Sequence, residues 1–320
     1  MKNKIKIGLI GCGRVAENHI LAIKECEWAE IAAVSGGRHA QELGERIGVP
    51  VLSGDEICES SLVDALCILT PPEFHYIYAM KGIEAGKHVL VEKPVSFSDR
   101  EIEEMSIAAK KNKVVCMPGH SYIYLPELIR MKRALEGKRL GVPAYVYLSE
   151  MYYMPKELAV KYTGPETDVL CHQLYLCLAF LGMPMRTTAF RTCIEGKENE
   201  TDGAQVSVML EYAQGTIVQI FVTWAAEDCS SEPWTFKIKI IGNKGCMSFS
   251  RRDFMEKTDV EYEQSLYQEM FNEEMKWFVE KCILEGKQPI STMEDAKKVC
   301  LLHKAIVKAI NEKVVVEGLQ

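Results

Sequence analysis

The sequence predicts an α/β protein of two domains: a doubly wound parallel sheet over residues 1–119, then an α+β domain over residues 120–320 with a largely antiparallel open sheet. Three observations support this prediction. Short apolar runs alternate with helical patterns in the first third, as in successive βαβ units. Beyond residue 120, strand-like runs are joined by hairpin-type turns such as Ala213-Gln214-Gly215. The length of 320 residues also exceeds what one core usually holds.

In the first domain, strands and helices are predicted to alternate. The apolar run from Lys4 predicts the first strand, and the helical spacing from Arg14 predicts the helix after it. Ser98 or Asp99 is expected to cap the last helix. The predicted strands are 4–10, 31–34, 65–69, 88–91 and 114–117, and the predicted helices are 14–26, 74–85 and 99–111.

In the second domain, the strand patterns come first and two helices close the chain. Ser291 and Glu294 match a capping box, which predicts the start of the last helix. The predicted strands are 142–151, 205–212, 216–223, 236–241 and 246–250, and the predicted helices are 126–136, 263–285 and 293–311.

The composition excludes several functional classes. The formal net charge is −7, and the basic residues are scattered, which argues against nucleic acid as a partner because phosphate binding needs clustered Lys and Arg. No window approaches eighteen consecutive apolar residues, so no membrane partner is expected. The start Met-Lys-Asn-Lys leads directly into a strand pattern without a cleavage site, and we expect a cytoplasmic protein.

The twelve cysteines indicate neither a disulfide framework nor a metal site. No Cys-x-x-Cys pair occurs, and most cysteines lie in apolar runs, as Cys67 does. We therefore expect buried, reduced thiols. Cys171 and Cys177 flank His172, but no fourth ligand follows at the usual spacing, so no metal is expected.

The segment Gly11-Cys12-Gly13-Arg14-Val15-Ala16 lies between the first predicted strand and the first predicted helix. In that context G-x-G-x-x-G/A predicts a dinucleotide-binding Rossmann domain. Gly11 permits the tight turn, Gly13 lets a diphosphate approach the backbone, and Ala16 lets the helix pack on the sheet. The helix N-terminus at Arg14 and Val15 would hold the phosphates. A glycine turn without a ligand is the alternative.

The tip of the second strand carries no acidic residue and reads Val34-Ser35-Gly36-Gly37-Arg38-His39. An NAD site usually presents Asp or Glu there, and that carboxylate would repel a 2′-phosphate. Ser35, Gly36 and Arg38 are therefore predicted to bind the phosphate, which favours NADP and leaves NAD as the second choice. The alternative is a solvated loop in which Arg38 binds nothing.

Two further motifs follow predicted strands, where α/β sheets bind ligands. Thr70-Pro71-Pro72-Glu73-Phe74-His75 follows the strand at 65–69, and Glu92-Lys93-Pro94 follows the strand at 88–91. Together with the glycine motif, this ordered set resembles the glucose-fructose oxidoreductase and inositol dehydrogenase family, Gfo/Idh/MocA. The resemblance implies that a nicotinamide cofactor lies against Thr70, Pro71, Pro72, His75, Glu92 and Lys93.

The resemblance extends into the second domain. The family has Asp-x-Gly-x-His-x-x-Asp at the start of a helix, and this chain has Asp168-Val169-Leu170-Cys171-His172-Gln173-Leu174-Tyr175. Asp168 and His172 match, whereas Leu170 and Tyr175 depart from the pattern. The four-residue spacing would place Asp168 and His172 on one helical face, where the carboxylate could orient the imidazole.

The resemblance implies one catalytic residue from each domain. Lys93 is expected to hydrogen-bond the reacting oxygen and stabilise a developing alkoxide. His172, oriented by Asp168, is expected to take the hydroxyl proton, since histidine suits proton transfer near neutral pH. These three residues are also expected to bind substrate. His120 and Tyr122 stand where the family has Gly-Phe-Asn-x-Arg, and they are either substrate-contacting pocket walls or packed core residues.

The sequence thus predicts an NAD(P)-dependent oxidoreductase that interconverts a carbinol and a ketone on a sugar, sugar derivative or cyclitol. Two alternatives stay open. One is an enzyme that retains its cofactor and cleaves a glycosidic bond by transient oxidation and elimination. The other is a nucleotide-sensing regulator without catalysis. Because family members commonly pair through the second-domain sheet, the resemblance also implies a homo-oligomer, either dimer or tetramer.

Overall fold

The computed structural model describes residues 4–160, 164–194, 203–226, 235–251 and 260–319. The chain divides into two compact units: Met1–Leu125 with Gln268–Cys300, and Pro126–Tyr267 with Leu301–Gln320. The first division lies close to the boundary drawn at residue 119. The segment Gln268–Cys300, which the sequence placed in the second domain, belongs to the first unit.

In the first unit, strands and helices alternate from residue 5 to residue 118. The elements are β1 (Ile5–Ile10), α1 (Arg14–Glu25), β2 (Ala29–Ser35), α2 (Ala40–Ile47), β3 (Val51–Leu52), α3 (Gly54–Glu59), β4 (Ala65–Ile68), α4 (His75–Glu84), β5 (His88–Val91), α5 (Asp99–Asn112) and β6 (Cys116–Pro118). Short 3₁₀ helices occupy Pro72–Phe74 and Ser121–Tyr124.

The six strands form one parallel sheet with the order β3-β2-β1-β4-β5-β6. The chain builds outward from β1 to one edge and then from β4 to the other, which is the doubly wound arrangement. All four residues of β4 are buried, as expected for a parallel strand covered on both faces. The predicted fold class of this domain is confirmed.

The core of the first unit lies against this sheet. Ile68 of β4 and Val89 of β5 pack with Ile83 of α4 and Met105 of α5, and all four side chains are fully buried. Met293, from the segment 268–300, joins the same cluster. Burying side chains of this size contributes about 1.5–3 kcal/mol each, so the returning segment is part of what stabilises this unit.

The second unit contains a sheet of seven strands, the helices before and within it, and parts of the two long helices that follow. Its elements begin with α6 (Pro126–Glu136), β7 (Pro143–Met151), α7 (Lys156–Ala159), α8 (Pro165–Asp168), α9 (Leu170–Leu181), β8 (Arg186–Cys193), β9 (Ala204–Glu211), β10 (Ile217–Thr223), β11 (Phe236–Gly242) and β12 (Gly245–Arg251). The chain then forms α10 (Val260–Lys276), a π-helical stretch (Trp277–Leu284), α11 (Met293–Glu312) and β13 (Val316–Glu317).

The second sheet has seven strands in the order β12-β11-β7-β10-β9-β8-β13. Its pairs are antiparallel except that β7 runs parallel to β10. Buried and accessible positions alternate along β9, as in a sheet with one face on the core. The prediction of a largely antiparallel sheet is confirmed, and β8 is a strand that the sequence analysis did not identify.

Two general expectations concern membranes and cysteines. Within the described part of the chain, none of the helices has both the length and the apolar character needed to cross a bilayer. Eight cysteines of that part are free thiols: Cys12, Cys26, Cys58, Cys67, Cys116, Cys177, Cys246 and Cys282.

The last helix is capped one position later than the sequence predicted. α11 begins at Met293, and its N-cap is Thr292, whose Oγ1 accepts a hydrogen bond of 3.2 Å from the Asp295 N–H. Asp295 Oδ2 in turn accepts a bond of 2.8 Å from the Thr292 N–H. The box is therefore Thr292 with Asp295, and the predicted pair Ser291 with Glu294 is wrong. Both pairs match the local pattern, so only the backbone geometry decides between them.

The position of the N-cap at Thr292 predicts which substitution destabilises α11. Thr292→Ala should lower the free energy of unfolding by about 1 kcal/mol, because the helix loses its N-cap acceptor. Thr292→Ser keeps that acceptor and should restore most of the stability. Glu294 is exposed, so Glu294→Gln should change the free energy of unfolding by less than about 0.5 kcal/mol. Urea denaturation measures all three, and a larger loss for Glu294→Gln than for Thr292→Ala would contradict the assignment.

Candidate active site

The glycine turn between β1 and α1 places one tightly packed glycine beside an open one. Gly11 has a φ of 107°, and a Cβ there would lie 2.6 Å from the carbonyl oxygen of Leu69. Only glycine fits this position. A Cβ on Gly13, by contrast, would meet no atom within 4 Å, so the space above this residue is open to a ligand. The two glycines therefore differ in their surroundings, and their contact with a diphosphate stays a prediction.

The first turn of α1 has unused backbone donors. Gly13 is the N-cap and supplies no side-chain cap, while α1 runs for 12 residues. Uncapped N–H groups and the helix dipole favour an anion at this end. Ala16 is 1% exposed, in keeping with its predicted contact with the sheet. These features fit a dinucleotide diphosphate.

The end of β2 lies beside this turn. The Ser35 carbonyl accepts a hydrogen bond of 2.8 Å from the Gly11 N–H. The Ser35 hydroxyl is fully buried and has no hydrogen-bond partner among the described residues, whereas Arg38 is exposed. Of the two side chains predicted to bind a 2′-phosphate, Arg38 is thus the accessible one. The Ser35 hydroxyl would gain a hydrogen-bond partner only from a ligand or after a small movement.

His75 connects the two motifs that follow β4 and β5. Its Nε2 lies 2.7 Å from the Thr70 carbonyl oxygen, and its Nδ1 lies 3.0 Å from the Pro94 carbonyl oxygen. Burial lowers the pKa of His75, although both carbonyl contacts act in the opposite direction. Because the side chain is fully buried and both ring nitrogens face protein carbonyls, this geometry favours a structural role. Its assignment to cofactor binding stays a prediction.

Glu92 fixes the backbone at Lys93. The Glu92 carboxylate accepts a bond of 2.9 Å from the Lys93 N–H through Oε2 and contacts His19 Nε2 at 2.8 Å through Oε1. His19 is fully buried, and Glu92 is 6% exposed. Burial alone would raise the pKa of Glu92, but the hydrogen bond and charge of His19, with Lys93, lower it below its ordinary range. Glu92 is therefore an ionised group inside the first unit.

A second buried carboxyl, Glu274 of α10, lies in the same electrostatic environment. It is 1% exposed, and neither of its oxygens has a hydrogen-bond partner among the described residues. Burial, together with the charge of Glu92, raises the pKa of Glu274 well above its ordinary value, which favours the neutral acid. The neighbouring Phe271 packs its ring edge-on to His19, with centroids 5.2 Å apart. Neither His19 nor Glu274 was predicted, because nothing local in the sequence marks them as neighbours of Glu92.

His120 and Tyr122 lie in the interior of the first unit. They are 2% and 1% exposed, and His120 Nδ1 lies 2.6 Å from the Ser291 hydroxyl. Burial lowers the pKa of His120 to about 4, so its ring is neutral near pH 7. This burial fits the packed-core alternative that the sequence left open. Their contact with a substrate stays a prediction.

In the second unit, Asp168 and His172 lie on either side of a helix junction. Asp168 ends α8 and His172 is in the first turn of α9, with Val169 between the two helices. His172 is 8% exposed. Its Nδ1 lies 2.9 Å from the hydroxyl of Tyr175, one of the two residues that depart from the family pattern. A mismatch in sequence is thus a direct partner of the predicted base in the structure.

No group of three or more His, Cys, Asp or Glu side chains is arranged to hold a metal ion in the described ranges. Burial raises the pKa of Cys177 above its ordinary value, which disfavours the thiolate that a metal would need.

A doubly wound parallel sheet with an open glycine turn at the start of α1 defines a dinucleotide-binding Rossmann domain.

Comparison with known proteins identifies the family. A profile described as "Oxidoreductase family, NAD-binding Rossmann fold" matches residues 5–120, and the GFO/IDH/MocA C-terminal domain matches residues 128–248. The chain belongs to the Gfo/Idh/MocA oxidoreductase family, as the resemblance implied.

Individual relatives are distant but match over most of the chain. Oxidoreductase P35 of Formosa agariphila is 27% identical over 78% of this chain and 80% of its own. The myo-inositol 2-dehydrogenase of Thermotoga maritima is 24% identical over 97% of each chain. The scyllo-inositol dehydrogenase of Lactobacillus casei, solved with bound NAD(H) and scyllo-inositol, has a TM-score of 0.84 at 18% identity and matches over 98% of this chain and 99% of its own.

The buried pair of His19 and Glu92 predicts a large effect on stability. His19→Leu should lower the free energy of unfolding by about 3–5 kcal/mol, because it leaves one oxygen of the buried Glu92 carboxylate without its hydrogen-bond partner. The matched control is the exposed pair of Arg46 and Glu17, whose side chains are 53% and 55% exposed. Arg46→Ala should cost no more than about 1 kcal/mol. Urea denaturation of the full chain compares the two, and similar losses would contradict the assignment of Glu92 as an ionised, buried group.

Proposed function

We propose that this protein transfers a hydride between a nicotinamide cofactor and a carbinol or ketone carbon of a cyclitol, sugar or sugar derivative. The observation that carries this proposal is the anchoring of Lys93 by the buried Glu92 carboxylate at the carboxyl end of β5, in the same sheet as the open Gly13 turn at the end of β1. In a parallel sheet these ends share one edge, where α/β folds bind ligands. The inositol dehydrogenases among the relatives support the cyclitol class.

Two side chains are proposed to act on the reacting groups. The nicotinamide, when bound, accepts or donates the hydride. The Lys93 ammonium would hydrogen-bond the reacting oxygen and stabilise negative charge as it develops there. His172 would take the hydroxyl proton in the oxidation direction and return it in the reduction direction. Asp168 would contribute to substrate binding and to the orientation of His172.

We further propose that NADP is preferred over NAD. The support is the absence of an acidic residue from Ser35 to His39, together with the exposure of Arg38. A guanidinium forms a stronger, charge-assisted hydrogen bond with a 2′-phosphate than with the ribose hydroxyl of NAD. The Lactobacillus casei relative was solved with NAD(H), so the two cofactors must be compared directly.

A homo-oligomer is proposed to form through the outer face of the second sheet. Phe190, Met209 and Ile241 share this face and are 69%, 46% and 37% exposed. Apolar side chains of this size, exposed together on a sheet, are typical of an interface. Light scattering of the purified chain should give the mass of a dimer or tetramer, and the mass of one chain would contradict the proposal.

A reducing, cytoplasmic location is also proposed, and the free, buried thiols of Cys67 and Cys177 support it.

The catalytic proposal predicts a specific pattern of losses. With the best alcohol from a panel of cyclitols and sugars, Lys93→Ala and His172→Ala should each lower kcat by about 10² to 10⁴, because each removes a group that acts on the reacting oxygen or its proton. Cofactor affinity, measured by nicotinamide fluorescence, should persist. The exposed Lys110→Ala is the control and should retain full kcat. Full activity of both active-site variants would end the proposal.

The cofactor proposal predicts an effect of Arg38 on one cofactor only. Arg38→Ala should lower kcat/KM for NADP by about 10- to 100-fold, the equivalent of one charged hydrogen bond, and change kcat/KM for NAD by less than about threefold. Arg100→Ala, whose side chain is 85% exposed on α5, should change neither. A parent enzyme with higher kcat/KM for NAD than for NADP would refute the preference.

A further inference from the structure

The hydroxyl of Tyr175 lies within hydrogen-bond distance of the proposed base. His172 and Tyr175 are three residues apart on α9, so their side chains are neighbours on one face of the helix. The distance from His172 Nδ1 to the Tyr175 hydroxyl is 2.9 Å, and the rings meet edge-on at 77° with centroids 5.7 Å apart. Tyr175 is 2% exposed. The contact is therefore formed inside the second unit and holds the imidazole in one orientation.

This contact bears on which nitrogen of His172 carries the proton. A neutral imidazole has one N–H and one lone pair, and the hydrogen bond made by one nitrogen decides which form predominates. If Nδ1 carries the hydrogen, it donates to the Tyr175 oxygen and Nε2 keeps its lone pair. If the tyrosine hydroxyl donates to Nδ1 instead, Nε2 carries the hydrogen and cannot take a proton. Only the first arrangement makes Nε2 a base.

We propose that Tyr175 is a positioning residue, which holds His172 as the Nδ1–H tautomer and so leaves the Nε2 lone pair to accept the substrate's hydroxyl proton. This inference rests on the proposed function of His172. In the oxidation direction, the carbinol carbon gives its hydride to NAD(P)⁺, the O–H proton passes to Nε2, and the C–O bond becomes a carbonyl. The products are a ketone, NAD(P)H and an imidazolium, whose Nδ1–H still donates to the Tyr175 oxygen.

A phenol oxygen suits this role in a particular way. It accepts the Nδ1–H bond without a charge, so it orients the ring and stabilises the imidazolium less than a carboxylate would. Removing it would leave Nδ1 of a buried ring without this partner, which costs free energy in the competent tautomer. The expected consequence is a loss in the proton-transfer step rather than in the binding of substrate.

The first test reads the tautomer directly and needs no turnover. Long-range ¹H–¹⁵N NMR of the full chain labelled at histidine nitrogens, with the His172 signals assigned by their loss in His172→Gln, reports which nitrogen is protonated. The wild-type chain should show Nδ1 protonated and Nε2 unprotonated, and Tyr175→Phe should shift the population towards Nε2–H. A wild-type ring protonated at Nε2, or an unchanged tautomer in Tyr175→Phe, would overturn the proposal.

The second test uses kinetics with a matched control. Tyr175→Phe should lower kcat by about 10- to 100-fold while KM for substrate and cofactor stays within about twofold, since only the proton-accepting form is depleted. Tyr212 is the control: it is also 2% exposed in the second unit, and its hydroxyl has no hydrogen-bond partner among the described residues. Tyr212→Phe should keep the parent kcat and tautomer. Equal losses in the two variants would indicate packing and overturn the proposal.

The two tests separate this inference from the function on which it rests. If His172→Ala abolishes turnover but Tyr175→Phe changes neither tautomer nor kcat, the role of Tyr175 fails alone. If His172→Ala keeps full turnover, the proposed function of His172 fails, and with it the catalytic purpose of the contact.

Discussion

The Glu92 carboxylate carries a negative charge into the interior of the first unit, at the end of a central strand. A buried charge is costly unless each of its oxygens is matched, and here His19 matches one oxygen and the Lys93 amide the other. The carboxylate needs these two partners to remain charged. Through the same two contacts it fixes α1 and the backbone of Lys93 relative to β5.

Histidines serve this unit as connectors between segments that are distant in the chain. His19 joins α1 to the end of β5, and His75 reaches both Thr70 and Pro94, the backbones that follow β4 and β5. The loops at a sheet edge are the least constrained part of such a fold, since they lack the regular hydrogen bonds of strands. Buried imidazoles supply that constraint here, and they do so next to the residues proposed to meet the cofactor and substrate.

The second unit uses a local solution for its own proposed catalytic residue. His172 has a partner, Tyr175, one turn along the same helix, so this contact is made within α9. The rest of this unit was harder to infer from patterns. Strand β8 was missed because only Thr187 and Ala189 are buried among its eight residues, which leaves little apolar alternation to detect. The structure identifies β8 as a strand because each of its residues, from Arg186 to Cys193, pairs with a residue of β9.

The sequence by itself determined the two-part α/β organisation, the glycine turn at Gly11 and Gly13, and the family motif at Lys93, because periodicity and glycine geometry are local properties of the chain. Tertiary structure decided the partners: His19 for Glu92 across 73 residues, Ser291 for His120 across 171 residues, and Thr292 as the cap of α11. Hydrogen bonds between buried groups depend on which distant segments meet and on one-residue differences in register. No local pattern encodes either, so these contacts became visible only once the chain was folded.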